Sequence, residues 1–459
     1  MKHKRYRDNK RSIRRFKLFI LGFILFVLGG CTKSSVILEK DSIIKSGKDM
    51  VFYTATDLHY LSDSLTDNGA AFNKFVYSGD GKQLEYIDEL LESFTYSIDK
   101  TKPDVLIISG DLTNNGEKAS HLDLAKKFKA IEDGGTSIYV IPGNHDILNP
   151  HARGFKEDKQ YVTKSVNSKE FGEIYADFGF DEAKLKDKDS LSYLVAPSEE
   201  VWLLMLDTNK YKDNIKLGHP QVGGELSAST LKWIEKCSDL AKEKGANIIT
   251  VMHHNILNHS DVIREGFTLD NAERALEVFK DNDLSLVLSG HIHIQDICSE
   301  SKDSTKLYDI TTNSLAIYPH QYGVIKYSSQ DVSFDYSTAR LEVEDWAKEK
   351  GIKDEKLSNF KRYSEEYFGE FAYGMVYNEF AGAKNYSSNE IKLMSETMRT
   401  LNLRYFAGTE SLNSKDITAS EGFKLWLNLP DGFFKRYAMS ISSDKDADDN
   451  SLSIKMGRK

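Results

Sequence analysis

Five apolar runs, each rich in β-branched or aromatic residues and each stopping at a short cluster of Asp, Asn, Gly or His, constrain this chain more than any bulk property. Met50-Val51-Phe52-Tyr53-Thr54-Ala55-Thr56 stops at Asp57-Leu58-His59, and Val105-Leu106-Ile107-Ile108 stops at Ser109-Gly110-Asp111. Ile138-Tyr139-Val140-Ile141 breaks at Pro142-Gly143 and delivers Asn144, His145 and Asp146. Asn247 to Met252 delivers His253-His254-Asn255, and Leu284 to Leu288 delivers Ser289-Gly290-His291-Ile292-His293. Short, uniformly apolar runs bounded by turn residues read as buried strands. Between them, Gln83 to Lys100, Leu122 to Ile131, Leu226 to Lys244 and Asn271 to Lys280 read as helices. Strand, helix, strand in this order predicts an α/β fold with parallel strands, in which ligands gather at the carboxyl ends of the strands.

The clusters carry the chemistry. In extended backbone alternate side chains share a face, so Asp57 and His59 can point at one ion. Gly110 permits close backbone approach and leaves Asp111 at the tip of its turn. Histidines capping separate strands would account for any one cluster. Five clusters at successive strand ends, holding six of the twelve histidines, instead predict one pocket of O and N ligands.

This order of motifs resembles the calcineurin-like metallophosphoesterase superfamily over about residues 50 to 335. Gly110-Asp111-Leu112-Thr113 with Gly116-Glu117 is similar to its class III cyclic-nucleotide phosphodiesterase branch. The resemblance implies a four-layer α/β/β/α metallophosphoesterase sandwich holding two divalent metal ions, with Mn, Fe or Zn all compatible with the ligands. It implies Asp57, His59, Asp111 and His293 around one ion and Asp111, Asn144, His253 and His291 around the other, Asp111 bridging them. Metal-bound hydroxide would then attack a phosphodiester such as a cyclic nucleotide in line. His145 would act as transition-state stabiliser or general acid, with Asp146 orienting its ring. One departure is His253-His254-Asn255, where the family commonly has Pro after the histidines; the family pattern favours His253 as the ligand. Phosphomonoesters such as nucleotides are an alternative substrate class, and a surface binding module with a structural metal site is the reading from another class.

The remaining chain sets boundaries. Residues 1–30 hold nine Lys or Arg and one Asp, then the apolar run Leu18 to Gly30, too short for a membrane span of about 20 residues. The run ends in Leu28-Gly29-Gly30-Cys31, which resembles the bacterial lipobox. The expectation is therefore a lipoprotein signal peptide over 1–30, with the mature protein anchored through lipid on Cys31 to the outer face of the bacterial cytoplasmic membrane. A linker is expected over 31–48, the metallophosphoesterase domain over 49–338, a helical C-terminal domain over 339–442 and a polar, unstructured tail over 443–459. Beyond residue 30 the chain holds 52 basic and 69 acidic residues, which argues against binding of a nucleic-acid polymer. Cys237 and Cys298 lack the spacing of a Cys-based zinc site and read equally as a disulfide or as two separate residues. Residues 60–81 are expected to be a loop, 148–189 an irregular lobe or lid with one or two short helices, and the runs to about Phe334 the completion of a second sheet.

Overall fold

All five runs are strands, and all four intervening apolar patterns are helices, the third and fourth within two residues of their expected limits and the first two starting four residues away from them, at Ile87 and Lys118. The computed structural model describes residues 43–302, 305–411, 414–443 and 448–456. The expected signal peptide and the expected lipid-bearing Cys31 lie outside the described residues.

Residues 44–459 form one compact unit around two sheets. In the six-stranded sheet, Met50–Ala55, Val105–Ser109 and Ser137–Ile141 run parallel. In the seven-stranded sheet, Val201–Leu206, Asn247–Met252, Leu286–Ser289 and Thr305–Thr311 run parallel. Alternation along Val201–Leu206 explains why the run is apolar throughout. Leu203 and Met205 enter the core shared with the first sheet, whereas Trp202, Leu204 and Leu206 pack with Leu231, Ile234 and Phe279 of the helices Ala228–Lys244 and Ala272–Asp281. The outer face of the first sheet is covered by Phe94 and Ile98 of Ile87–Thr101 and by Leu124 and Phe128 of Lys118–Asp133. Helix, sheet, sheet, helix is thus a four-layer sandwich whose strands are buried on both faces.

Four expectations are corrected. Residues 60–81 are not all loop: Ala70–Tyr77 is a helix, held where Phe72 packs edge-on against Phe155 at 5.4 Å and the Ala71 amide donates to the Glu157 carbonyl. The 148–189 lobe contains a hairpin, Arg153–Lys156 with Lys159–Val162, besides the helix Ser168–Ile174. The late strands divide between the sheets, Asp296–Lys302 joining the second while Gln321–Ser328 and Ser333–Arg340 join the first. The tail is not wholly unstructured, because Ser451–Lys455 forms the edge strand beside Ser333–Arg340 and buries Ile454. A five-residue strand with one buried side chain leaves too little periodicity to read from a polar tail.

Beyond the sandwich come Phe360–Phe380, Ser388–Tyr405, Glu421–Asn428 and Phe433–Ser442. The last two of these are separate helices because Pro430 forces Leu429 into extended backbone. The four helices' core of Val376, Met394, Met398, Leu401, Trp426 and Ala438 also takes in Ile292 and Ile294, which alternate with His291 and His293. The helices therefore hold the back of the last histidine cluster. Among the described residues no helix is long and apolar enough to cross a membrane.

Candidate metal centre

The strand ends bring all five clusters together, with Asp111 at their centre. Asp111 Oδ2 lies 3.8 Å from His59 Nε2 and 3.9 Å from His145 Nε2. Its Oδ1 lies 3.5 Å from His253 Nε2 and accepts the His145 amide at 2.8 Å. One carboxylate thus offers one oxygen to each of two donor groups. The first group is Asp57, His59, Asp111 and His293, and the second is Asp111, His253 and His291, every donor atom of a group lying within 4.8 Å of the others. Asn144 joins the second group through its Oδ1, 3.1 Å from His253 Nε2. His59 Nε2 and His293 Nε2 face each other at 3.2 Å, and His293 Nε2 lies 3.1 Å from Asp57 Oδ1.

Each donor is aimed by a contact on its far side. Thr56 Oγ1 and the His291 amide both donate to Asp57 Oδ2, leaving Oδ1 inward. His253 Nδ1 faces the Ser109 carbonyl at 2.9 Å and His291 Nε2 the Gly266 carbonyl at 3.0 Å, so each ring turns its other nitrogen to the pocket. His254 is held away: Nδ1 faces Thr208 Oγ1 at 2.7 Å and Nε2 the Val222 carbonyl at 2.8 Å, so both of its nitrogens are engaged. Of the adjacent pair only His253 reaches the pocket.

The backbone bends to make these approaches. Asp57, His59, Asp111, His291 and His293 all have φ between 45° and 70°, a left-handed conformation costing about 1–3 kcal/mol at each non-glycine residue. Burial of Ile292 and Ile294 in the helical core offsets this by about 1.5–3 kcal/mol each. Gly143 answers a different need, room rather than φ, because a Cβ there would meet the amide and carboxylate of Asp111. Gly143→Ala is expected to displace Asp111 and lower bound metal and phosphoesterase turnover at least roughly tenfold, on the scale of losing a ligand-orienting contact. Metal analysis and turnover on the purified variant check this, and wild-type metal content would refute it.

Burial alone would raise the Asp111 carboxyl, but the imidazoles of His145 and His253 outweigh it and hold it well below the usual range. Burial lowers His253, yet Asp111 prevails and lifts it to about 9. His291 is pushed down to about 3 by burial and then by His253. A buried set of anionic carboxylates and crowded imidazoles, with His59 Nδ1 also lacking a hydrogen-bond partner, has the donor chemistry to take divalent cations.

His145 stands apart. Its side chain is 26% exposed against 0% for His59, and its Nδ1 lies 2.8 Å from the Asn114 carbonyl. The expectation that Asp146 orients this ring is overturned. Asp146 Oδ2 accepts the Leu112 and Gly143 amides, and Oδ1 accepts the amide and hydroxyl of Thr113. Neighbours in sequence point opposite ways because the turn diverges there, so Asp146 ties the two ligand-bearing turns together.

Two further groups escaped the sequence reading. Asn114, the partner of the His145 ring, lies between Thr113 and Gly116 and carries no sign in sequence of its backbone role. Lys82 lay in a stretch without periodicity. Its side chain is 9% exposed and pairs with Asp80 at 2.9 Å. Its charge adds to burial in lowering His59 and His145, which places an ammonium at the rim.

Glu117, from the same motif, is fully buried and accepts the Asn115 amide at 2.9 Å. Burial, opposed by that hydrogen bond, raises its carboxyl from 4.5 to about 7. Unfolded it ionises near 4.5 and folded only near 7, so stability falls as pH rises through that window, by about 3 kcal/mol in all. Glu117→Gln removes the titration. Thermal unfolding is expected to show the variant gaining on the wild type by that amount between pH 4.5 and 8, and a gap that stays constant would refute the buried-acid reading.

Two facing sheets with O and N donors around a shared carboxylate at their strand ends define a metal-dependent hydrolase. Residues 50–295 match the calcineurin-like phosphoesterase family, and the chain belongs to it. Residues 342–448 match the C-terminal domain of cyclic nucleotide phosphodiesterase. The chain is 23% identical over 258 residues to a probable glycerophosphodiester phosphodiesterase of Arcobacter nitrofigilis, covering 55% of this chain and 77% of that relative. Among solved structures it is similar to a dimetal phosphatase from Danio rerio, at 13% identity and TM-score 0.44 over 63% of this chain and 95% of that one. It is also similar to the Haemophilus influenzae NAD nucleotidase, at 12% identity and TM-score 0.33 over 70% of this chain and 60% of that one.

Proposed function

We propose that this phosphoesterase is a phosphodiesterase acting on cyclic nucleotides or related small phosphodiesters. The observation that carries the reading is the match of residues 342–448 to the C-terminal domain of cyclic nucleotide phosphodiesterase, joined to a site in which Asp111 presents one oxygen to each donor group. Asp57, His59, Asp111 and His293 would hold one divalent ion, and Asp111, Asn144, His253 and His291 the other. Bound there, the ions supply Lewis acidity toward a phosphoryl oxygen and the attacking water.

The chain's own groups do the rest. His145 keeps Nδ1 on the Asn114 carbonyl, so Nε2 is the nitrogen that meets substrate and passes a proton to the leaving oxygen. Burial lowers the ring, and Asp111, 3.9 Å from that nitrogen, opposes this by favouring its protonated form. Lys82 adds positive charge at the rim for the substrate phosphate.

The test compares bis(p-nitrophenyl) phosphate, p-nitrophenyl phosphate and a cyclic nucleotide with added Mn²⁺ and after chelation. Metal-dependent preference for the diesters supports the proposal, and preference for the monoester overturns it. Lys82→Ala is expected to raise KM for the diester roughly tenfold, the scale of one lost charge-assisted contact, with kcat falling less. Unchanged KM would remove Lys82 from substrate binding.

A further inference from the structure

A second convergence of ligand-type side chains lies outside the dinuclear centre and shares no residue with it. His259 stands in the loop after Asn247–Met252, and Asp296 and Cys298 alternate on the edge strand Asp296–Lys302. Alternation puts their two side chains on one face. His259 Nδ1 meets Asp296 Oδ2, Cys298 Sγ lies 3.3 Å from that same oxygen, and all three donor atoms fall within 4.8 Å of one another. His259 and Asp296 are buried, and Cys298 is half-buried at the surface. The disulfide reading of the sequence does not hold, since Cys237 and Cys298 are both free thiols.

The surroundings of this trio are those of a coordination site. Cys298 faces Asp309 across the strand pair, and Asp309 Oδ2 lies 3.2 Å from His259 Nε2. That carboxylate is fixed in turn, accepting the Ile256 and Leu257 amides on Oδ2 and the Ser289 hydroxyl on Oδ1. His259 Nε2 is buried without a hydrogen-bond partner, so Asp309 faces the imidazole as a charge rather than as a hydrogen-bond acceptor. The other nitrogen, Nδ1, faces a second carboxylate at very close range. Either a proton on that nitrogen or a metal cation can sit between the two. The thiol has two acceptors as well, Asp296 Oδ2 and the Asn258 carbonyl at 3.4 Å, but only one hydrogen to give.

We propose that His259, Asp296 and Cys298 form a third, mononuclear metal site that takes a borderline transition-metal cation such as Zn²⁺. One nitrogen, one carboxylate oxygen and one thiolate suit Zn²⁺ and its analogue Co²⁺, whereas Mg²⁺ and Ca²⁺ prefer all-oxygen sites. Coordination releases the thiol proton to solvent and leaves the metal's oxidation state unchanged. The site would pin the loop that begins at His253 to the edge of the second sheet. Tyr405 of the C-terminal helices donates to the His259 carbonyl at 3.0 Å, so the same point ties in the helical region. The competing state is an imidazolium held between Asp296 and Asp309 beside a neutral thiol.

Cobalt separates the two, because the dinuclear centre contains no sulfur and a thiolate-to-cobalt charge-transfer band can come only from a cysteine. The chain has three cysteines, so the full chain carrying Cys31→Ser and Cys237→Ser keeps Cys298 as its single thiol. Loaded with Co²⁺, this protein is expected to show the near-ultraviolet sulfur band and to bind one equivalent more than the same protein with Cys298→Ser added, which loses the band. Asp111→Asn is expected to leave the band in place. Absence of the band from the single-thiol protein overturns the proposal, as does its survival in the Cys298→Ser protein. Should the multiple variants fail to fold, the wild type decides: no sulfur band there is equally fatal, and a band abolished by Cys298→Ser alone supports the site.

Discussion

Asp111→Asn is expected to strip the centre of bound metal and to reduce diester hydrolysis by about 10³-fold or more, a loss of at least about 4 kcal/mol of transition-state stabilisation. The effect should be this large because Asp111 alone faces both donor groups, Oδ2 toward His59 and Oδ1 toward His253. Asparagine keeps the shape but has one oxygen and no charge, so both groups lose an anionic ligand and, whichever way the amide turns, one also loses its oxygen donor. The Asp111 carboxylate also accepts the His145 amide, and an amide turned the wrong way leaves that donor unmatched. Neither change should unfold the sandwich, whose strands are held by apolar burial on both faces. Circular dichroism is therefore expected to match the wild type while metal analysis on the dialysed variant falls below half. Two ions retained with turnover within tenfold of wild type would overturn the bridging role.

Much of this was legible because the constraint lay in strand ends. A run such as Ile138 to Ile141 can be nothing but a buried strand once Pro142-Gly143 stops it, and the residues it delivers then have a known position in the sheet. Every inferred ligand sits on such an end, which is why the centre could be assembled from clusters far apart in the chain. Contacts made after the turn were not legible. Whether Asp146 meets the neighbouring imidazole or the amides of Leu112, Thr113 and Gly143 depends on how the turn diverges, and spacing carries no such information. The left-handed backbone at Asp57, His59, Asp111, His291 and His293 was hidden for the same reason, since these are not glycines and only tertiary packing holds them there. Ala70–Tyr77 was hidden because only Ala71 and Phe72 are buried along it, too few to show a period. Ile292 and Ile294 read as filler between histidines, and only the C-terminal helices reveal them as anchors.

His145→Ala is expected to leave metal binding near wild type while lowering kcat for the diester by about 10²–10⁴-fold, the range for losing a general acid. The separation of effects follows from geometry. His145 Nε2 reaches no closer than 3.9 Å to Asp111 and its Nδ1 is taken by the Asn114 carbonyl, so the ring adds no nitrogen to either donor group, yet it is more exposed than His59 behind it. A leaving group of low pKa needs little protonation, so the loss should be smaller with p-nitrophenoxide than with an alkoxide. That dependence on leaving group separates proton transfer from simple misplacement of substrate. Asp146→Asn should behave in the opposite way. Its carboxylate accepts four hydrogen bonds from three residues, and the amide can replace only part of them, so the cost falls on stability, about 1–3 kcal/mol for each donor left unmatched. Thermal unfolding should therefore drop for Asp146→Asn and hold for His145→Ala, with the leaving-group dependence disturbed only in the latter. If Asp146→Asn instead reproduced the His145→Ala rate profile at wild-type stability, the assignment of Asp146 to the turns rather than to the imidazole would be wrong.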